Sequence, residues 1–219
     1  MPLTLAEFVV RYLKDLGVRH VFGITAHSVF QITDALYREA GIEFVPTQSE
    51  MAAAYMAEGY ARAGRQLGVC LVSAGPGAAN MVGGVAHAFK ESTPMLALSS
   101  EVSTAVAGKS STWHEIGQQE MFAPITRLSR ILRRPDEITY LLPETMAAGL
   151  PPPTATTAAA WSSRCVSRFA PGVQYRPAHP TRRRPLSFSR RAPNDRRIST
   201  GLDRPLGNRA ATAIVATMR

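Results

Sequence analysis

Residues 48–62, QSEMAAAYMAEGYAR, form an alanine-rich segment that has the composition of a helix and that directly follows a short β-rich run, Glu43–Thr47. An acid, Glu50, falls in the first turn of the predicted helix. Carboxylates are common there because the helix dipole and the free backbone N–H groups favour negative charge. Position alone therefore makes Glu50 an ordinary helix-start acid, and any functional role has to be argued from the surrounding sequence.

Strands and helices alternate on both sides of this segment. Apolar residues at three- and four-residue spacing predict a first helix, which the capping pair Thr4 and Glu7 begins and Gly17 ends. The further predicted helices are Val29–Glu39, Ser49–Ala63, Ala78–Glu91 and Asp136–Gly149, and the predicted strands are Val18–Ile24, Glu43–Thr47, Val69–Ser73, Met95–Ser99 and Thr126–Leu132. This alternation predicts an α/β fold with a doubly wound, mainly parallel sheet and helices on both faces.

The charge of the chain divides it near Leu150. Residues 1–150 contain 12 Lys and Arg against 14 Asp and Glu, whereas residues 151–219 contain 13 Arg, no Lys and only two Asp. All of the net charge of +9 therefore belongs to the second part. That part also has nine prolines and no hydrophobic periodicity, so it lacks the apolar clusters that offset the entropy of folding. We expect a folded domain over residues 1–150 and a disordered Arg/Pro-rich tail over 151–219.

The tail has two competing interpretations. Its arginine clusters at 182–184, 190–191 and 196–197 suit an arm that holds nucleic acid through phosphate charge. Against this, the tail has no lysine and few aromatic residues to stack on bases. The second interpretation is out-of-frame translation of a GC-rich gene, which gives a similar bias towards Arg, Pro, Ala, Thr and Ser, and we favour it.

The cysteines and histidines show no metal-binding pattern. Cys70 and Cys165 lie far apart, and no histidine has metal-ligand spacing to another or to a cysteine. We therefore expect no metal site in this chain. No apolar run is long enough to span a bilayer or to form a signal peptide, so a cytoplasmic location is the default expectation.

The turn at residues 74–80, AGPGAAN, joins a predicted buried strand to a helix, where free N–H groups and glycines allow a ligand to approach closely. It is not a dinucleotide fingerprint, since Asn80 replaces the third glycine of that motif. Two histidines, His27 and His114, are in predicted loops at or just beyond the carboxyl ends of strands, where open α/β sheets place their ligands. Both are candidates for substrate contact.

Taken together, residues 50–62 and the run VCLVSAGPGAAN at 69–80 resemble the pyrimidine-binding domain of thiamine diphosphate enzymes. The resemblance is to the acetolactate synthase and benzoylformate decarboxylase group. It extends to VFGI at 21–24, to WHE at 113–115, which is similar to the family's Phe-Gln-Glu, and to FAPIT at 122–126. These pieces occur in the family's order between about Leu3 and Ala148.

The resemblance implies a cofactor and a role for Glu50. In the family a glutamate at this position hydrogen-bonds the N1′ nitrogen of the aminopyrimidine and favours the imino tautomer, which generates the thiazolium carbanion that attacks a 2-oxo acid. The resemblance also implies that Ser73, Asn80 and the loop Thr25–Ala26 border the pyrimidine. The family usually continues VFGI with Pro-Gly, whereas this chain has Thr-Ala-His, which ends at His27. His114 also replaces the family's glutamine. Because of these two departures, the substrate class stays open.

The resemblance covers only one half of a cofactor site. In the family a second α/β domain holds the diphosphate and Mg²⁺ with a Gly-Asp-Gly motif, and this tripeptide occurs nowhere in the chain. We therefore expect a truncated protein, inactive alone, that binds the pyrimidine half of thiamine diphosphate. Mg²⁺ is expected only with a partner that carries the diphosphate-binding domain, and the other expected partners are a 2-oxo acid and further copies in a homo-oligomer.

Overall fold

The computed structural model describes residues 3–103, 107–109, 112–149 and 212–218. The arginine clusters and most of the predicted tail lie outside these residues. The helices are α1 (Leu5–Asp15), α2 (Phe30–Arg38), α3 (Glu50–Gly64), α4 (Pro76–Asn80), α5 (Val82–Glu91), α6 (Gln118–Phe122) and α7 (Ile138–Gly149). The strands are β1 (His20–Gly23), β2 (Glu43–Pro46), β3 (Gly68–Val72), β4 (Pro94–Ser100), β5 (Leu128–Leu132) and β6 (Thr212–Met218).

The six strands form one sheet in the order β2-β1-β3-β4-β6-β5, and every neighbouring pair is parallel. Strand β1 lies between β2 and β3, so the chain runs from β1 outward to β2 and then crosses back to β3. The predicted α/β fold with a mainly parallel sheet is confirmed. The reversal of strand order between β1 and β3 creates the crevice in which open α/β sheets bind ligands.

Helices cover both faces of the sheet, and alternate residues of the central strands supply the two cores. Val69 and Leu71 of β3 pack on the side of α1, α2 and α7, whereas Cys70 and Val72 pack on the side of α3 to α6. All five residues of β3 are buried. This explains why β3 is a continuous apolar run rather than an alternating one. Burial also raises the pKa of the Cys70 thiol to about 12, so Cys70 is an inert core residue.

Helix α3 lies unusually close to β3. A Cβ placed on Gly68 would stand 2.1 Å from the carbonyl oxygen of Ala57, which leaves no room for a side chain at this strand position. The helix buries a row of alanines against the sheet and α5, namely Ala53, Ala54, Ala57 and Ala61. These small residues fix the position of α3, and with it that of Glu50 at its first turn.

The structure differs from the predicted elements in two helical regions. The helix predicted over Ala78–Glu91 is two helices, α4 and α5, which meet at Met81. The glycine-rich start of α5 and the short α4 allow this break, since glycine weakens a continuous helix. The five-residue helix α6 was not predicted, because a helix of about one and a half turns is too short to show apolar periodicity.

The largest difference concerns the end of the chain. The composition of residues 151–219 predicts a disordered tail, whereas the structure places residues 212–218 in β6, between β4 and β5. The sequence TAIVATM is a β-prone run, but it is short and isolated, so it gave no basis for adding a strand to the sheet. Its backbone pairs with β4 from Pro94 to Ser100, and it is the strand through which β5 joins the sheet.

Within the described residues, none of the helices combines the length and the apolar composition that crossing a membrane requires.

Candidate functional site

Three loops meet at the carboxyl edge of the sheet beside the reversal between β1 and β3. They follow β1, β2 and β3, and the first two are tied together at Thr47. The backbone N–H of Thr47 donates to the carbonyl of Gly23 at 2.8 Å, and its hydroxyl donates to the same oxygen at 3.2 Å. The start of α3 is thereby held next to the end of β1.

Glu50 opens α3 and points across to the loop after β3. Ser49 caps the helix by accepting a hydrogen bond from the N–H of Ala52, so Glu50 occupies the first helical position. The side-chain amide of Asn80 donates to Oε2 of Glu50 at 3.1 Å. This contact joins residues 30 positions apart and fixes the direction of the carboxylate. Within the described residues, Oε1 receives no hydrogen bond and remains able to accept one.

The turn between β3 and α4 presses against the same carboxylate. A Cβ added to Gly77 would lie 2.1 Å from the hydroxyl oxygen of Ser73 and 3.1 Å from Oε1 of Glu50. Glycine is therefore required at 77 if Ser73 and Glu50 keep their positions. Three of the residues assigned to the site from the sequence, Glu50, Ser73 and Asn80, are brought together around this glycine.

A second close approach joins the turn to the segment that carries His114. Gly75 has a φ of +62°, and a Cβ there would lie 2.3 Å from the carbonyl oxygen of His114. His114 itself has a φ of +68°, which is rare for a residue with a side chain. Its exposed imidazole stands 5.3 Å from the ring of Trp113, centroid to centroid, and its backbone lies against the turn.

Buried polar residues that the sequence analysis missed anchor this segment to β4. Gln118 is fully buried; its amide oxygen accepts from the Ser99 hydroxyl at 2.9 Å, and its amide nitrogen donates to the carbonyl of Ser100 at 3.0 Å. A polar residue just after a glycine gives no signal of burial in a sequence, so these contacts were not foreseeable. They fix the position of the chain immediately after His114 and Glu115.

The loop after β1 completes this edge of the sheet. It contains Thr25, Ala26 and His27, and it is connected to the end of β4 by a 2.6 Å hydrogen bond between the hydroxyls of Ser100 and Ser28. Thr25 and His27 are exposed, and Ala26 is partly buried. Among the described residues no hydrogen bond links this loop to Glu50. The three residues thus lie at the same edge as Glu50, and within the described part of the chain they make no hydrogen bond to it.

No group of three or more metal-ligating side chains occurs among the described residues. The site instead offers a carboxylate with one constrained oxygen and one available oxygen, an amide, a hydroxyl and a side-chain-free surface at Gly77. Such a set suits a neutral, nitrogen-containing ring that can both donate and accept hydrogen bonds.

Residues 3–122 match the family described as thiamine pyrophosphate enzyme, N-terminal TPP binding domain. The chain belongs to this family. It is also similar to the acetolactate synthase isozyme 3 large subunit of Escherichia coli, with 38% identity over 151 residues, which are 68% of this chain and 26% of that relative. The probable acetolactate synthase large subunit of Methanocaldococcus jannaschii is 37% identical over 65% of this chain and 23% of its own length. The acetolactate synthase of Arthrospira platensis is 36% identical over 65% of this chain and 25% of its own length.

The resemblance inferred from the motifs is therefore confirmed at the level of the family, and the relatives named above are acetolactate synthases. Membership implies binding of thiamine pyrophosphate, also called thiamine diphosphate. The chain spans about a quarter of the length of the curated relatives that it matches. The roles of Glu50, Ser73, Asn80, Thr25, Ala26, His27 and His114 remain predictions.

Proposed function

We propose that this protein binds the aminopyrimidine half of thiamine diphosphate in the crevice beside Glu50. The observation that carries the proposal is the group Glu50, Asn80 and Gly77, in which one carboxylate oxygen is held by the amide and the other faces a glycine surface. The location at the reversal of strand order supports it, since ligands of open α/β sheets bind there.

In this proposal Glu50 shares a proton with the N1′ nitrogen of the pyrimidine. The Asn80 amide keeps the carboxylate pointed at the crevice, which spares the entropy of orienting it when the ring binds. Ser73 and the loop Thr25–Ala26 border the ring. The bound cofactor would supply the carbanion and the electron sink for 2-oxo acid chemistry, and the protein would supply binding, orientation and the proton.

The proposal also covers the activity of a complete enzyme of this family. Decarboxylation and carboligation of 2-oxo acids would require a diphosphate-binding domain with its Mg²⁺, supplied by a partner polypeptide or by a longer relative. We propose that the present chain has no activity alone. His27 and His114 are the proposed substrate contacts, and the cytoplasm is the proposed location.

A chimera tests the role of Glu50. Residues 3–149 would replace the corresponding part of the Escherichia coli isozyme 3 large subunit, which supplies the remainder of the enzyme. We expect acetolactate formation by the chimera, and a fall of about 100-fold or more after Glu50→Gln, because general acid–base contributions are of this size. The change is nearly isosteric, so folding should be retained.

The matched control is Glu43→Gln, at an exposed carboxylate that lies at the start of β2 rather than at the carboxyl edge. It should leave the rate of the chimera unchanged. An active Glu50→Gln chimera would contradict the proposal and return Glu50 to the role of a helix-start acid.

A further inference from the structure

A continuous set of polar contacts crosses the carboxyl edge of the sheet, from the segment of His114 to the loop after β1. The hydroxyl of Ser99 donates to the amide oxygen of Gln118 at 2.9 Å, and the amide nitrogen of Gln118 donates to the carbonyl oxygen of Ser100 at 3.0 Å. The hydroxyl of Ser100 in turn donates to that of Ser28 at 2.6 Å. These four residues, here called the polar bridge, join three separate segments: α6, the end of β4 and the loop after β1.

The middle of the polar bridge is buried. Gln118 and Ser99 are 0% exposed, and Ser100 is 2% exposed. Both ends of the Gln118 amide therefore have their partners away from solvent, where a hydrogen bond is stronger than it is in water. An amide that lost these partners would be buried without satisfaction, which is unfavourable. The bridge therefore holds its three segments in one arrangement.

The segment between His114 and Gln118 is held at both ends. At one end, the backbone of His114 lies against the turn at Gly75, where an added Cβ would stand 2.3 Å from the carbonyl oxygen of His114. At the other end, Gln118 is fixed by the bridge, and its backbone N–H donates to the carbonyl of Ile116 at 2.8 Å. Only three residues separate the two fixed points. The contacts of Gln118 thus limit how far His114 can move across the crevice.

The other end of the polar bridge holds His27. Ser28 directly follows His27 in a short 3-10 turn, His27–Val29. The backbone N–H of Val29 donates to the carbonyl of Ala26 at 3.0 Å, so the turn around His27 is compact. The hydrogen bond from Ser100 ties this turn to the end of β4. The loops of both proposed substrate contacts are therefore attached to the same strand end.

We propose that Gln118 is a positioning residue that sets the separation of His27 and His114 on the substrate side of the site. Its amide places the His114 segment against β4, and Ser100 extends the constraint to the turn at His27. The two loops accordingly move as one unit. This inference rests on the proposed function for the roles of the two histidines, but the coupling of their loops is a property of the chain without any ligand.

Hydrogen–deuterium exchange of the full chain without cofactor tests the coupling, because it measures local opening segment by segment. Gln118→Met removes both amide contacts and keeps an unbranched side chain of similar length. We expect exchange to become at least about tenfold faster both in residues 26–30 and in residues 114–121, since leaving buried polar groups unsatisfied favours local opening by such a factor.

Two further variants separate positioning from a general loss of stability. Ser28→Ala removes only the last contact of the bridge, at an exposed residue, so exchange should become faster in residues 26–30 and stay unchanged in residues 114–121. Thr93→Val is the matched control, because Thr93 is 4% exposed and its hydroxyl donates to Glu58 at 3.1 Å, outside the bridge. It removes a buried polar contact and should change exchange in neither loop.

Gln118→Glu tests the same contacts through pH. A protonated carboxyl group has a donor and an acceptor, so it can replace both bonds of the amide, whereas the ionised form has no donor for the carbonyl of Ser100. Because burial raises the pKa of a carboxyl group, the introduced group should be protonated at about pH 5 and increasingly ionised towards about pH 8. After correction for the intrinsic pH dependence of exchange, this variant should match the parent at the lower pH and Gln118→Met at the higher one.

The chimera with the Escherichia coli relative supplies a kinetic measurement. Gln118→Met should raise the KM for pyruvate by about tenfold and change kcat by less than about threefold, because it displaces the substrate contacts and leaves Glu50 in place. A fall in kcat with an unchanged KM would assign Gln118 to the cofactor side and overturn its role in positioning the substrate contacts.

The exchange experiment decides the coupling independently of cofactor chemistry. Unchanged exchange in either loop of the Gln118→Met chain, or equal acceleration of both loops by Thr93→Val, would overturn the inference. If Gln118→Met does not fold, Gln118→Glu at the two pH values and Ser28→Ala give the same decision. An active Glu50→Gln chimera would contradict the proposed function and leave the exchange result standing, so the two failures are distinguishable.

Discussion

At the scale of single residues, the candidate site depends on a residue without a side chain. Gly77 lets the hydroxyl of Ser73 and the carboxylate of Glu50 approach the same point of the turn. Any larger residue there must displace one of them. Because Glu50 is also held by Asn80, the carboxylate has little freedom to move aside.

We therefore predict that Gly77→Ala lowers the free energy of unfolding by about 1–3 kcal/mol, the range typical of overpacking. Urea unfolding measures this change. Gly59→Ala is the matched control, because a Cβ at that helical glycine meets no neighbour, and it should raise stability by about 0.5–1 kcal/mol. The double variant Gly77→Ala/Ser73→Ala should recover part of the loss. Equal effects of the two single glycine changes would contradict the close contact at Gly77.

Part of the site could be predicted from the sequence and part could not. Glu50, Ser73 and Asn80 follow predicted strands at positions that an open parallel sheet brings to one edge, so their grouping was foreseeable. The contact of Gly75 with the backbone of His114 and the burial of Gln118 were not. They depend on how a long loop returns to the sheet, and neither periodicity nor turn chemistry specifies that path.

At the scale of elements, the first helix is the clearest case of local chemistry. Thr4 and Glu7 form the predicted capping box: the backbone N–H and the hydroxyl of Thr4 donate to the Glu7 carboxylate, and the Glu7 N–H donates back to the Thr4 oxygen. These bonds lower the pKa of Glu7 below its ordinary value of 4.5, and the bond from the backbone N–H of Thr4 has the largest effect.

This shift predicts a pH dependence. A carboxyl group whose pKa is lower in the folded state stabilises that state fully above its unfolded pKa, and the contribution is lost as the pH falls through the folded value. We expect Glu7→Gln to reduce stability near pH 7, and this effect should diminish as the pH falls through the pKa of Glu7 in the folded state. Urea unfolding over a series of pH values from about 7 downward measures it. Glu120→Gln, outside the capping box, is the control; a Glu7→Gln effect that does not diminish in acid would contradict this account.

The strands differ in how well the sequence predicts them. Hydrophobic runs predicted β1 to β5 within a few residues, because each run is flanked by helices and turn residues. Strand β6 has no such context, since some sixty residues without apolar periodicity precede it. Its place between β4 and β5 is a long-range pairing, which local pattern does not encode.

Truncation decides between the two descriptions of the chain's end. We expect residues 1–211 to lose most of the cooperative unfolding transition and to aggregate, because β6 connects β5 to the sheet and its removal leaves an open edge on β4. Thermal unfolding and light scattering measure both effects, and residues 1–218, which keep β6, are the control. Equal stability of the two truncated chains would show that the folded unit ends near Leu150 and does not need β6.

At the scale of the whole molecule, the described residues offer contacts for a neutral ring and none of the metal-ligand clusters that a diphosphate would need for its Mg²⁺. The first 150 residues carry slightly more negative than positive charge, and the carboxylate of Glu50 stands in the crevice itself. In the function proposed above, the pyrimidine alone supplies affinity for the cofactor.

It follows that the purified chain should not distinguish thiamine from thiamine diphosphate. Micromolar binding requires about 8 kcal/mol, and we expect neither compound to reach it, because an uncompensated diphosphate adds charge without a partner. Titration calorimetry of both compounds with Mg²⁺ present, and an assay for loss of pyruvate or benzoylformate, measure this; the Escherichia coli relative is the positive control. Turnover by this chain alone, or saturable micromolar binding of thiamine diphosphate but not of thiamine, would show that the chain holds the diphosphate through residues that the candidate site does not include.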